Sequence, residues 1–220
     1  VTPAELTATL LQNEYITKVI TITNPSDIAT TVSIIPKNLE NYISSLTGLV
    51  TLGPKETKNI PLDISYSKPG IYTGSIVFKI GNAEKTMPVI IEVKSRNILF
   101  DISLEGTELK DNILKAQVTI SNIANLASDV VNIAYYIKDL DGNEILRLEE
   151  NVFVEKQRSF LKEFKLPELR EGKYVIGAEV LYKNSFATAS DVFEIKPSIA
   201  KLKYSYIILG IVALLILYYI

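Results

Sequence analysis

The sequence predicts an all-β protein, two β-sandwich domains in tandem, followed by one C-terminal transmembrane α-helix. Three observations predict it. Before residue 200 the apolar residues recur with period two, in runs rich in β-branched side chains. Clusters of Gly, Pro, Asn and Asp punctuate these runs at short spacing. From Tyr204 to Ile220 the chain reads YSYIILGIVALLILYYI, without one charge.

The first series opens with Tyr15 to Thr23, YITKVITIT, and turns at Asn24-Pro25-Ser26-Asp27. Ala29 to Ile35 is the next strand, and Pro36 to Ser45 reads as irregular, with room for one helical turn. Leu49 to Leu52 runs into the turn Gly53-Pro54-Lys55. Ile60 to Ile64 alternates apolar and polar residues. Lys68-Pro69-Gly70 turns the chain into Ile71 to Ile80. Gly81-Asn82 marks a hairpin, and Met87 to Val93 closes the series. Short strands at this spacing indicate a sandwich of the immunoglobulin-like kind.

Lys94-Ser95-Arg96-Asn97 separates a second series. Leu99 to Leu104, Leu114 to Asn122, Val130 to Lys138, Glu144 to Leu148, Phe153 to Val154, Ser159 to Leu166, Lys173 to Tyr182 and Ala187 to Ile195 read as strands. Turns fall at Glu105-Gly106, Asp111-Asn112, Asp141-Gly142-Asn143 and Glu171-Gly172. The expected domains are therefore 1–95 and 96–196, both immunoglobulin-like β-sandwiches and each able to fold alone. A juxtamembrane linker, 197–203, and the transmembrane helix, 204–220, follow. The short interdomain linker excludes independent tumbling. Laid end to end, the pair would hold its tip about 60 Å from the membrane, at ~3.3 Å per strand residue.

A helix of residues 204–220 would span roughly 25 Å, close to the ~30 Å hydrocarbon core. Tyr204 and Tyr206 mark one interface, Tyr218 and Tyr219 the other. Lys201 and Lys203 can snorkel to the near headgroups. Gly210 and Ala213 offer small residues for a helix–helix contact, although their spacing is not GxxxG. The anchor residues expected from the sequence are thus Lys201, Lys203, Tyr204, Tyr206, Gly210, Ala213, Tyr218 and Tyr219. Translocation of a long folded region depends little on its charges, so the domains are expected outside the cell.

The strand motifs of the first series resemble a known family. They are Val19-Ile20-Thr21-Ile22-Thr23-Asn24, Val50 to Thr57 leading to Ile60-Pro61-Leu62, Pro69 to Ile76, and Met87 to Val93. Together they resemble the alpha-galactosidase-associated immunoglobulin-like domain of prokaryotic surface and membrane proteins. More distantly they are similar to the major sperm protein and pilus-chaperone sandwiches. Val118 to Asn122, Tyr136 to Gly142 and Phe164 to Tyr174 resemble an adhesion-related module of the CARDB kind. The resemblance implies an exported, membrane-anchored scaffold or adhesion protein and carries over no catalytic residue.

Composition narrows the chemistry. The sequence has no cysteine and no histidine. Disulfides, thiolate sites and Ser-His-Asp triads are therefore excluded. The 23 basic and 25 acidic residues nearly cancel and show no basic face, so nucleic acid is not an expected partner. Every asparagine fails the N-x-Ser/Thr pattern, Asn24 through Pro25. Asp139 to Glu144 is the acidic cluster of note. It reads as a hairpin turn in preference to a calcium loop, because Asp-Gly supplies a positive φ. Glu149, Glu150 and Glu155 read as a solvated strand edge in preference to a glycosidase pair. No enzyme activity and no cofactor is expected. The expected function is a non-enzymatic extracellular stalk, adhesion or scaffold protein, with membrane lipid and a protein or surface polymer as partners. Two alternatives are a cytoplasmic tail-anchored adaptor resembling major sperm protein domains, and an ancillary binding module of a carbohydrate-active system.

Overall fold

The computed structural model describes residues 1–44, 48–127 and 129–196. The first seven strands are β1 (Leu6–Leu11), β2 (Tyr15–Thr23), β3 (Thr30–Lys37), β4 (Leu49–Leu52), β5 (Thr57–Ser65), β6 (Gly70–Ile80) and β7 (Ala83–Lys94). They form two facing sheets. One has the order β1-β7-β6-β3-β4, with β1 parallel to β7, and the other pairs β2 with β5. The second set is β8 (Phe100–Lys110), β9 (Ile113–Asn122), β10 (Asp129–Asp139), β11 (Glu144–Val154), β12 (Gln157–Lys165), β13 (Gly172–Tyr182) and β14 (Ser185–Ile195). Its sheets are β11-β10-β13-β14 and β12-β9-β8. Both sets are β-sandwiches, called here the first and second sandwich.

Period-two patterning builds both cores. On β9, Leu114, Ala116, Val118 and Ile120 turn inward while the residues between them stay half-exposed. Each buried aliphatic or aromatic side chain contributes about 1.5–3 kcal/mol. The largest fully buried side chains in the second sandwich are Tyr135, Phe100 and Phe164, and Tyr135 meets Phe164 edge-on at 5.4 Å. The first core gathers Ile20, Ile34, Leu39, Leu62, Ile76 and Met87, and the two cores share no residue.

Several elements depart from the sequence reading. Leu6–Leu11 is a strand that the patterning did not single out. Glu144–Val154 is one continuous strand where two were expected, because β10 pairs with it along its length. Glu105-Gly106 is a bulge inside β8, with φ +60° at Gly106. The irregular stretch after β3 does hold one tight turn, in which Tyr42 and Ile43 both donate to Leu39 C=O. At Gly74 a Cβ would fall 2.6 Å from both the Leu39 side chain and Lys37 C=O. That glycine lets the chain leaving β3 cross over β6. The expected transmembrane helix at 204–220 lies outside the described residues. Among those described, no helix is long and apolar enough to cross a membrane.

The end-to-end arrangement is corrected. Ser95 N–H donates to Phe186 C=O at 2.9 Å, the Glu92 carboxylate meets the Ser190 hydroxyl, and Ile90 packs with Val192. Lys173, paired with Glu194 on β14, reaches Glu5 at 3.2 Å. As β7 ascends from 90 to 95, its β14 neighbours descend from 192 to 186. The strands therefore run antiparallel, outer face to outer face, and the sandwiches lie side by side.

Candidate functional site

The described residues place two features before the functional question: the seam between the sandwiches and a cleft at the free end of the first. All eight residues expected in the anchor, Lys201 to Tyr219, lie outside the described residues.

The seam has an apolar centre of Ile71 and Ile90 against Val175 and Val192, with Leu140 packed beside them. Ile71 is seated over Gly177, where a Cβ would stand 2.6 Å from its Cδ1. Polar contacts ring this centre. β3 pairs with β6 only from Ser75 onward, which leaves the β6 edge at Ile71 bare. Unpaired backbone groups there would carry a desolvation penalty. The second sandwich supplies the partners: Glu179 accepts from Ile71 N–H, and Lys138 Nζ donates to Ile71 C=O at 3.1 Å. The hairpin 140–143 docks next to them. Thr73 Oγ1 donates to Asp139 C=O at 3.0 Å and Asn38 Nδ2 to Asp141 C=O at 2.7 Å.

This hairpin is the acidic cluster that the sequence offered as turn or calcium loop. Asp139 Oδ1 accepts from Asp141 N–H and Asn143 N–H, both at 2.9 Å, and Oδ2 accepts from Asn143 Nδ2 at 2.8 Å. With Gly142 at φ +82°, the carboxylate holds a turn. The other acids are separated in the same way. Glu149 pairs with Arg147 at 2.6 Å. Glu150 takes the Tyr135 hydroxyl at 2.7 Å and Lys162 at 2.6 Å. Burial alone would raise the Glu150 carboxyl, but Lys162 and Tyr135 outweigh it and hold it below the ordinary range.

Glu179 goes the other way. Burial raises its carboxyl above the ordinary value of 4.5, although the Tyr136 hydroxyl, Lys138, Ile71 N–H and Arg147 all favour the charged form. Tyr136 lies between the cations, 4.8 Å from Arg147 and 5.1 Å from Lys138, and burial pushes its phenol up. A carboxyl raised in the folded state holds a proton that the unfolded chain has released. Its stabilising contribution is complete below about 4.5 and is lost as pH rises through the higher folded value. Glu179→Gln is therefore expected to gain stability relative to the parent as pH climbs from about 4.5 toward neutrality. Urea titration across that range checks this, and a gain confined to the acid side contradicts it.

The second feature is a cleft of about 220 Å³ at the pole of the first sandwich away from the linker. Ile22, Val32, Leu52 and Phe78 form its floor, and Val1, Asn24, Glu84 and Lys85 stand at its rim. Lys85 Nζ donates to Val1 C=O at 3.4 Å. The volume suits an aliphatic side chain or about seven waters, at ~30 Å³ per water.

Sequence reasoning missed the seam, although a signal was present. Val89-Ile90-Ile91 breaks the alternation that one covered face would produce, and β7 is buried on both faces from Met87 to Val93.

No protein-family model matches the sequence, and no curated protein matches it. Among solved structures the chain is similar to a protein of unknown function from Porphyromonas gingivalis W83. That likeness has 10% identity and a TM-score of 0.48, covering 86% of this chain and 96% of that one. It is also similar to a DUF3823 family protein from Bacteroides ovatus, with 12% identity and a TM-score of 0.39, over 79% and 93% of the two chains. A third likeness is to the CARDB domain of a Pyrococcus furiosus protein, solved in complex with di-metal ions. Its identity is 14% and its TM-score 0.32, over 43% and 90%. The alpha-galactosidase-associated family suggested by the strand motifs stays a proposal.

Proposed function

We propose that this chain is a non-enzymatic, membrane-anchored extracellular stalk, adhesion or scaffold protein, with residues 204–220 in the membrane and its contacts made to protein or surface polymer. The observation that carries this reading is the seam. Ile71, Ile90, Val175 and Val192 with their ring of hydrogen bonds join two sandwiches into one block. A rigid pair suits holding and presenting a surface. The acids that might have served chemistry support it too: Asp139 holds a turn, and Glu150 is tied between Tyr135 and Lys162. The strand motifs resembling the alpha-galactosidase-associated and CARDB-like modules point the same way.

The test is fractionation with carbonate washing, together with protease access on intact cells. The expected result is a carbonate-resistant protein whose sandwiches are digested from outside. One specific observation favours a second reading. Lys201 and Lys203 lie on the sandwich side of the apolar run, and the positive-inside rule places such residues in the cytoplasm. Digestion only after the cells are broken open would replace the stalk by a cytoplasmic tail-anchored adaptor.

A further inference from the structure

The direction of the chain at the seam has a consequence for the first sandwich. β7 and β14 run antiparallel along each other, so the end of β7 that lies beside the end of β14 is its beginning. The β6–β7 hairpin tip at Gly81-Asn82 therefore points the same way as the chain leaving Ile195. At ~3.3 Å per residue, the stretch from Ile90 back to Ala83 spans about 23 Å, while β14 beyond Val192 adds only about 10 Å. The tip of the first sandwich thus overhangs the exit of the second by about 13 Å. Residues 197–203 can bridge at most about 25 Å before the apolar run begins. The tether is long enough for the tip to touch the surface that residues 204–220 enter, and too short for the block to stand far from it.

The tip carries the side chains such a contact needs. Ile28, in the loop from β2 to β3, is 74% exposed, and Ile80 before the hairpin turn is 47% exposed. The apolar cleft, with Ile80 in its lining, opens at the same pole. Charges of both signs pair on the neighbouring loops and strand ends, Lys55 with Asp27 at 3.2 Å and Lys79 with Glu84 at 3.0 Å, and Lys85 in the cleft lining adds a further cation. Apolar tips within a zwitterionic collar suit the boundary between headgroups and acyl chains.

We infer that the free pole of the first sandwich, led by Ile28 and Ile80, rests on the same bilayer that holds residues 204–220. The inference rests on the membrane reading of that segment, so the test separates the two. The sequence has no cysteine, and a single introduced thiol is a unique labelling site. Ile28→Cys, Ile123→Cys and Leu214→Cys are each made in the full chain, labelled with an NBD fluorophore and reconstituted in phosphatidylcholine vesicles. Ile123 is the control, 52% exposed and directly after β9 at the opposite pole. Nitroxide lipids labelled in the headgroup or the acyl chain serve as quenchers. The expected result is that the probe at 214 loses most of its emission to the acyl-chain nitroxide, the probe at 28 to the headgroup nitroxide, and the probe at 123 to neither. If 214 is quenched while 28 behaves like 123, the tip stands off the bilayer and the inference fails with the anchor intact. If 28 is shielded from water but untouched by either quencher, a second copy covers the tip and the inference also fails. If 214 is not quenched, the anchor reading fails first and takes the inference with it.

Discussion

Asn122→Ala is expected to destabilise the second sandwich by about 2–4 kcal/mol, and Asn24→Ala the first by a similar amount. The two asparagines do the same work at the same place. Asn122 is nearly buried, and its Nδ2 donates to Leu126 C=O at 2.9 Å and Glu155 C=O at 2.8 Å, while Oδ1 accepts from Leu126 N–H at 3.1 Å. Asn24 Nδ2 donates to Ile28 C=O and Gly53 C=O, both at 2.8 Å, and Oδ1 accepts from Ser26 N–H at 3.0 Å. Each side chain thus ties the loop after its strand to a neighbouring loop. Alanine removes three hydrogen bonds from each loop, at about 1–3 kcal/mol for each backbone group that stays buried. Calorimetric and urea unfolding measure the loss. A change under about 1 kcal/mol at either position would mean that water enters and satisfies the loop.

The largest effect is expected in the segment that begins at Tyr204. Arginine at both Ala213 and Leu214 should abolish stable membrane retention. Each arginine near a helix centre costs about 2.5–3.5 kcal/mol on insertion scales, so the pair costs about 5–7. The ten aliphatic residues Ile207, Ile208, Leu209, Ile211, Val212, Leu214, Leu215, Ile216, Leu217 and Ile220 contribute only about 0.3–0.6 kcal/mol each, and one of them is lost in the substitution. The balance turns against insertion, and the variant should be washed from membranes by carbonate. Retention of the double variant would show that the protein is held by something other than this run.

Much of the fold was legible because both sandwiches obey one rule along most of their length. Tyr15–Thr23 and Leu49–Leu52 match their expected bounds, since each alternates one covered and one open face between clear turns. Leu6–Leu11 was missed for a physical reason: its covered positions are Leu6, Ala8 and Leu10, and a small alanine between Thr7 and Thr9 makes a weak signal that only pairing with β7 resolves. The Asp139 turn was legible from local chemistry, Asp before Gly. Its role in docking was not, because Thr73 and Asn38 approach it from about seventy and a hundred residues away. The paired asparagines were present in both strand motifs, Thr23-Asn24 and Ser121-Asn122, but a residue that ends a strand looks like any turn former until its acceptors are known. The side-by-side packing was hidden for the same reason. A short linker fixes how far two domains can separate and says nothing about which faces they present to each other.

The antiparallel seam also decides which parts of the molecule would carry tension. A partner pulling on the far pole of the second sandwich, where Ile123 and Phe153 stand exposed, would transmit its force to residues 197–220 through β14. β14 is paired with β13 from Ser185 to Ile195, so a pull along its axis shears the whole ladder together instead of unzipping it one bond at a time. The first sandwich lies beside this line and not within it. It would act as a strut that stops the loaded sandwich from tilting, and force would reach its own core only if the contacts of Ile71, Thr73 and Glu92 gave way.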